Sequence, residues 1–180
     1  TYISLFSCAG VGCFGFKQAG FECIATNELI ERRLNVQKYN NKCKYESGYV
    51  CADITTDETK NRIFDEIDRW KKLGNDRVDV LIATPPCQGM SVANHKKAED
   101  EIKRNSLVVE SIGLIQNINP RFFIFENVAA FMKTGCTAPD GTVKAIGDVI
   151  REELSDKYII FSRILNFKNY GSNSSRTRTV

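Results

Sequence analysis

Short apolar runs alternate along this chain with longer segments in which apolar residues recur at helical spacing. The short runs predict β-strands at 2–6, 21–26, 49–52, 78–83, 121–125 and 158–167. The periodic segments predict helices at 29–40 and 57–73, one opening at 104–107 and one after residue 141. Because strand and helix alternate with no internal repeat or linker, the pattern predicts one α/β domain over residues 1–180.

Two of these segments have patterns that predict how they are buried. One face of the helix at 57–73 carries Ile63, Phe64, Ile67 and Trp70. Such a stripe is typical of a helix that packs on a core. The run at 122–125 is continuously apolar, which is typical of a strand covered on both faces.

The loops after the first three predicted strands carry residues typical of a nucleotide-binding fold. Gly10 lies in a small-residue loop that would let the backbone approach a cofactor, although such a loop can also be only a tight turn. Glu28 ends the second strand and could accept two hydrogen bonds from a ribose diol, or be a solvated residue opening the next helix. Asp53 ends the third strand and could accept from an adenine amino group, or help to begin a helix.

A rigid corner follows the fourth predicted strand. Pro85 and Pro86 withdraw two backbone donors and stop regular structure, and Cys87 emerges directly after them. At the carboxyl end of a central strand this thiol lies where open α/β sheets do chemistry. The alternative is a small buried hydrophobic residue, the commonest environment of a cysteine. The polar stretch at 92–103, which contains His95, is long for a connection and predicts an active-site or binding loop.

Two further features supply charge. Glu126 ends the apolar run at 121–125, so its carboxyl group should face a partly desolvated cleft and suit proton donation. Arg176 and Arg178 alternate, so an extended backbone would point both to one side, where they could hold a phosphate or a ring carbonyl. A solvated basic tail is the competing interpretation of this pair.

The composition excludes some classes of protein but does not indicate a particular function. The residues are 42% hydrophobic and 26% charged, and the net charge of +3 permits a polyanionic partner without requiring one. Seven cysteines without a CxxC pair, together with one histidine, argue against a zinc site. No apolar run reaches the roughly 18 residues of a membrane span. The odd cysteine count and the lack of a signal pattern lead us to expect reduced thiols in a cytoplasm.

Taken together, these blocks resemble the catalytic domain of DNA cytosine-5 methyltransferases. The matching segments are 6–12 (cofactor loop), 27–28 (ribose), 53–54 (adenine), 85–91 (nucleophile), 104–107 (helix start), 126–128 (acid) and 170–178 (basic block). The resemblance covers essentially all 180 residues. It implies a Rossmann-like S-adenosylmethionine-dependent methyltransferase fold, a three-layer sandwich with a mostly parallel sheet.

The resemblance also implies a reaction and its site residues. Cys87 would add to C6 of a cytosine flipped out of double-stranded DNA while Glu126 engages N3 and the exocyclic amine. C5 would then take the methyl group of S-adenosylmethionine, leaving S-adenosylhomocysteine. Arg178, with Arg176 beside it, would reach the target base or its backbone. The implied cofactor contacts are Phe6, Ala9, Gly10, Glu28, Leu29, Asp53, Ile54, Pro86 and Leu107.

The chain departs from the family pattern at several positions. Cys8 and Val11 stand where the family usually has glycine, and Asn173 and Ser174 where it has proline and glutamine. Ile102 replaces a common aspartate. Family members continue into a target-recognition region and a closing helix. We therefore expect a fragment, or a subunit completed by a second polypeptide, that alone binds the cofactor weakly and methylates DNA poorly or not at all.

The resemblance favours one function and leaves others open. The expected role is cytosine methylation in a bacterial restriction–modification system. An RNA cytosine-5 methyltransferase shares the same catalytic blocks, and a non-catalytic cofactor-binding or DNA-binding subunit could keep the fold. A nucleotide-binding oxidoreductase is disfavoured because the glycine loop does not fit G-x-G-x-x-G.

Overall fold

A computed structural model describes residues 1–86 and 107–180. The chain divides into two compact units, one formed by Thr1–Thr84 with Asn117–Ile124 and the other by Pro85–Gln116 with Phe125–Val180. The single domain expected over residues 1–180 stays a prediction.

The first unit is built on a mostly parallel five-stranded sheet. Its strands are β1 Tyr2–Leu5, β2 Cys23–Glu28, β3 Tyr49–Cys51, β4 Val80–Ala83 and β5 Phe122–Phe125, and only the last residue of β5 belongs to the second unit. They lie in the order β3-β2-β1-β4-β5, with β1 parallel to β2 and β4, and β2 parallel to β3. The helices α1 Phe14–Gln18, α2 Glu31–Tyr39 and α3 Asp57–Lys72 connect these strands. The predicted α/β class is confirmed.

The centre of the sheet is buried because its strands are continuously apolar. Every residue of β1 and β4 is buried, and Ile3 and Leu81 are fully inaccessible to solvent. Helix α3 contributes its predicted stripe, with Ile63, Ile67 and Trp70 buried, while Phe64 is half-buried. The helix begins where Thr56 Oγ1 accepts a hydrogen bond from the Thr59 N–H at 3.3 Å.

Strand β5 differs from its expected environment. The prediction that both its faces are covered is wrong for Phe122, whose surface is 67% exposed. Within the described residues β5 is an edge strand of the sheet, which leaves less protein around it than a central strand has.

The second unit combines helices with two small antiparallel sheets. Its helices are α4 Leu107–Ile118, whose last two residues fall in the first unit, and α5 Ile146–Leu154. Its strands are β6 Gly135–Thr137 paired with β7 Val143–Ala145, and β8 Ile164–Asn166 paired with β9 Thr177–Thr179. The strand predicted at 158–167 is therefore reduced to its last part. The buried residues include Val108, Ile112, Ile115, Phe131, Ile146, Val149 and Ile150.

Trp70 offers a direct test of the packing of α3. Its side chain is 2% exposed, and its indole N–H is buried without a hydrogen-bond partner among the described residues. We expect Trp70→Ala to lower the free energy of unfolding by about 3–5 kcal/mol, because it leaves a large cavity. Trp70→Phe should cost about 1.5 kcal/mol or less, because it keeps most of the apolar volume and gives up no hydrogen bond.

Urea denaturation followed by circular dichroism measures both changes. The exposed Lys72→Ala is the control and should stay within about 0.5 kcal/mol of the parent protein. A loss below about 1 kcal/mol for Trp70→Ala would contradict the packing described here.

Candidate active site

The turn that follows β1 has an unusual backbone. Phe6, Cys8 and Gly10 have φ angles of 54°, 50° and 83°, in the left-handed region that side chains disfavour. For a residue other than glycine this conformation costs about 1–2 kcal/mol, so it persists only where neighbouring groups impose it. The Cys8 angle also explains why glycine would suit that position.

The end of β2 imposes this conformation. The backbone N–H of Ser7 donates to the Asn27 carbonyl at 3.0 Å, and Ser7 Oγ donates to the same oxygen at 2.9 Å. The N–H of Cys8 donates to Glu28 Oε2 at 2.8 Å. The side chain of Asn27 is itself held by the carbonyls of Val50 and Ala52. The turn is thus fixed to two neighbouring strands.

The Glu28 carboxylate is buried but its charge is well compensated. Only 5% of the residue is exposed, and its second oxygen, Oε1, accepts from the Ile30 N–H at 3.0 Å. The Arg33 guanidinium lies 3.6 Å from the same oxygen. Each carboxylate oxygen has further lone-pair capacity, so both could accept hydrogen bonds from the hydroxyl groups of a ribose. The ribose role of Glu28 stays a prediction; its contact with the backbone of Cys8 was not predicted from the sequence.

The adenine block has a structural role of its own. Asp53 is exposed, and its Oδ1 accepts from both the N–H and the hydroxyl of Thr55 at 2.9 Å. That turn precedes α3, but the residue that caps the helix is Thr56 and not Asp53. Ile54 is 3% exposed and belongs to the core, whereas Leu29 is 66% exposed. Phe6, Ala9 and Gly10 are half-buried.

In the second unit, Glu126 is paired with Arg178. The Arg178 Nε atom lies 3.4 Å from Glu126 Oε1, and the two side chains are 18% and 29% exposed. Arg178 lies on β9, and its Nη1 donates to the Thr177 carbonyl at 2.7 Å. Arg176 precedes that strand with an exposed side chain. The structure therefore brings one of the two predicted arginines to the acid.

Asn127 organises the surroundings of this pair and was missed as a site residue. It is 4% exposed, and its side-chain amide donates to the Pro85 carbonyl at 2.8 Å. Its backbone exchanges hydrogen bonds with Thr179 at 3.0 and 2.8 Å. One buried residue, directly after Glu126, thus connects the segment before Cys87 with strand β9. The available signal in the sequence was an asparagine directly after a predicted acid.

Other predicted residues fall at the border of the described structure or beyond it. Pro85 is buried, and Pro86 and Leu107 are half-buried. Cys87, His95, the predicted loop at 92–103 and the start of the helix at 104–106 lie outside the described residues.

Two of the other cysteines have environments that differ from that of a nucleophile. All six described cysteines are free thiols. A hydrogen bond with Cys23, followed by burial, raises the pKa of Cys43, and burial raises the pKa of Cys136. These two thiols stay protonated at neutral pH, which makes them poor nucleophiles.

Residues 1–86 and 107–180 lack two kinds of feature. No group of three or more potential ligands is arranged there to hold a metal ion. No helix in these two ranges is both long and apolar enough to cross a membrane.

Comparison with known proteins identifies the family. A family model for C-5 cytosine-specific DNA methylases matches residues 1–180. The chain belongs to this family. The resemblance inferred from the order of the sequence blocks, and the S-adenosylmethionine-dependent methyltransferase fold that it implied, are therefore confirmed.

Individual methylases of bacteria show the same relationship. The chain is 31% identical to the type II methyltransferase M1.HgaI of Avibacterium volantium, over 99% of this chain and 48% of that protein. It is 30% identical to M.XorII of Xanthomonas oryzae pv. oryzae, with 99% and 39% covered. It is 31% identical to M.HpaII of Haemophilus parainfluenzae, with 99% and 44% covered. The chain spans less than half the length of each of these three methylases.

The left-handed conformation of Cys8 can be tested by substitution. Its side chain is exposed, so replacing it removes little packing. We expect Cys8→Gly to match or exceed the stability of the parent protein, because glycine adopts φ near +50° without strain. Cys8→Val should lose about 1–2 kcal/mol, because a β-branched residue is the least tolerated there.

Thermal unfolding of the three proteins provides the measurement. Cys51→Val, at a half-buried position with ordinary φ, serves as the control for the added branching. If valine at position 8 were as stable as glycine, the turn would not have the conformation described.

Proposed function

We propose that this protein methylates C5 of cytosine in double-stranded DNA, with S-adenosylmethionine as the methyl donor, in a restriction–modification system. The observation that carries the proposal is the Glu126–Arg178 pair beside Asn127. The amide of Asn127 holds the Pro85 carbonyl at 2.8 Å, two residues before the cysteine that we assign as the nucleophile. An acid and the segment leading to a thiol are thus connected through one buried side chain.

Glu126 supplies the acid in this scheme. Attack of a thiolate at C6 of cytosine places negative charge on the ring, and a proton delivered to N3 absorbs it. The carboxyl group is suited to this role because it can donate to N3 and accept from the exocyclic amine together. Arg178, 3.4 Å away, orients the carboxylate before the base arrives.

Cys87 supplies the nucleophile. Its thiolate forms a bond to C6, which makes C5 electron-rich, and the bond breaks again when the proton at C5 is removed. The two prolines before Cys87 restrict the backbone that leads to it.

Residues of the first unit support the assignment of the cofactor. S-adenosylmethionine supplies an electrophilic methyl group when it is bound. Glu28 would hold the ribose through its two fixed oxygens, and the turn at Phe6, Ala9 and Gly10 would admit the cofactor close to the backbone. The exposed Leu29 would add an apolar contact.

The remaining cofactor residues carry less structural support. Asp53 would accept a hydrogen bond from the adenine amine in addition to the two that its Oδ1 already accepts from Thr55. Ile54 would contact the ring only by an edge, since it is 3% exposed. Pro86 and Leu107 belong to the second unit, and their assignment to the cofactor stays a prediction.

The partner is assigned from the chemistry and the relatives. Cytosine C6 is covered by stacking in a duplex, so the target base must be flipped out before Cys87 can reach it. Arg178 and Arg176 would hold the base or its phosphate. The relatives are named type II methyltransferases, which supports a restriction–modification role. The remainder of the enzyme would come from the same chain or from a second polypeptide.

Trapping a covalent intermediate tests this function. The full-length protein would be incubated with S-adenosylmethionine and duplex DNA containing 5-fluorocytosine, where fluorine at C5 prevents release of the enzyme. We expect an adduct that survives denaturing electrophoresis and is lost in Cys87→Ser. Cys51→Ser, a half-buried cysteine without an assigned role, should still form it.

Parallel reactions distinguish the alternatives. An adduct on 5-fluorocytosine RNA but not on DNA would assign the protein to RNA. Binding of S-adenosylhomocysteine without any adduct would favour a non-catalytic subunit. An adduct that persists in Cys87→Ser would contradict the assignment of the nucleophile.

A further inference from the structure

We propose that Gln37 is a positioning residue for the cofactor turn, acting through its side-chain amide on Ser7 and Cys8. The inference rests on the proposed binding of S-adenosylmethionine by this turn. Gln37 lies in the last part of α2 and is 1% exposed. A buried amide must satisfy its donors and acceptors inside the protein, so its partners indicate what it holds.

The amide nitrogen of Gln37 contacts the turn directly. Nε2 donates to Ser7 Oγ at 2.8 Å and to the Cys8 carbonyl at 2.5 Å. Because a peptide unit is planar, holding the Cys8 carbonyl also fixes the direction of the Ala9 N–H. Gln37 therefore controls a peptide plane within the strained segment.

The amide oxygen faces a different set of groups. Oε1 accepts from Thr26 Oγ1 at 2.8 Å and from Lys42 Nζ at 3.0 Å. Lys42 Nζ also donates to Thr26 Oγ1 at 2.9 Å. A lysine ammonium can only donate, so the oxygen must point to it and the nitrogen must point to the turn.

The hydroxyl of Ser7 reinforces this direction. It gives its proton to the Asn27 carbonyl at 2.9 Å, so it can only accept from Gln37. The polar contacts thus run in one consistent order from Lys42 through Gln37 to the turn and on to the end of β2.

Gln37 also limits what can stand at position 10. A Cβ built on Gly10 would lie 3.0 Å from Gln37 Cγ and 3.4 Å from its Cδ. The aliphatic part of Gln37 therefore packs against the backbone of Gly10, while its amide holds Cys8. The turn is supported at two points by one side chain.

Gln37→Glu distinguishes the contribution of the amide nitrogen from that of the amide oxygen. The substitution keeps the shape and the acceptor that faces Thr26 and Lys42. It replaces the donor that faces the turn by an oxygen opposite two acceptors, Ser7 Oγ and the Cys8 carbonyl. We expect the affinity for S-adenosylhomocysteine to fall about tenfold or more. Amide hydrogen exchange of residues 7–10 should accelerate at the same time.

Gln116→Glu provides a matched control. Gln116 also lies on a helix, and its Nε2 donates to the Glu153 carbonyl and carboxylate at 3.0 Å. The same chemical change there should leave the affinity for S-adenosylhomocysteine within about twofold. Thermal unfolding shows whether each variant folds, and a positioning role predicts that a folded Gln37→Glu loses affinity whereas Gln116→Glu does not.

The experiment uses the full-length protein, isothermal titration calorimetry, hydrogen exchange and thermal unfolding. If Gln37→Glu does not fold, Gln37→Met, which lacks the donor without adding charge, should show the same tenfold loss. Unchanged affinity and unchanged exchange at residues 7–10 would overturn the proposal. If the parent protein did not bind S-adenosylhomocysteine, the cofactor assignment would fail, and exchange at residues 7–10 alone would decide whether Gln37 holds the turn.

Discussion

The hydrogen bonds between the turn after β1 and the end of β2 are the constraint on which the first unit depends. Phe6, Cys8 and Gly10 adopt left-handed backbone angles that a free chain would avoid. Asn27 and Glu28 hold that conformation by accepting from two consecutive backbone N–H groups. The buried carboxylate of Glu28 is tolerated for the same reason, because it gains donors in exchange for water. The hydrogen bonds that stabilise the fold here are therefore the same ones that shape the proposed cofactor site.

In the second unit, a single asparagine has a comparable role. The side chain of Asn127 donates to the Pro85 carbonyl, and its backbone pairs with Thr179. Glu126, directly before Asn127, is paired with Arg178. In both units, the glutamate that would contact a ligand lies next to an asparagine whose side chain contacts other protein groups. The pairs Asn27–Glu28 and Asn127–Glu126 divide positioning and chemistry between neighbouring residues.

The sequence was most informative where a local pattern decides the structure. The apolar runs of β1 and β4 and the stripe of α3 predicted their burial because periodicity alone determines which face packs. It was less informative where a distant partner decides. The exposure of Phe122 depends on what lies beside β5, and Gln37 looked like an ordinary helical residue until Ser7, Thr26 and Lys42 were placed around it. The sequence left two roles open for Asp53, binding adenine or helping to begin a helix. The hydrogen bond from the Thr55 N–H then showed that Asp53 forms a local turn.

The rate of adduct formation in Glu126→Gln is the most direct test of the account, because it isolates the acid from the nucleophile. The substituted amide would keep the size of the side chain but could not deliver a proton to N3. With 5-fluorocytosine DNA and saturating cofactor, we predict that the adduct forms about 10²–10⁴-fold more slowly while S-adenosylhomocysteine binds with unchanged affinity. Adduct formation at the parental rate would contradict the assignment of Glu126 and, with it, the proposed chemistry.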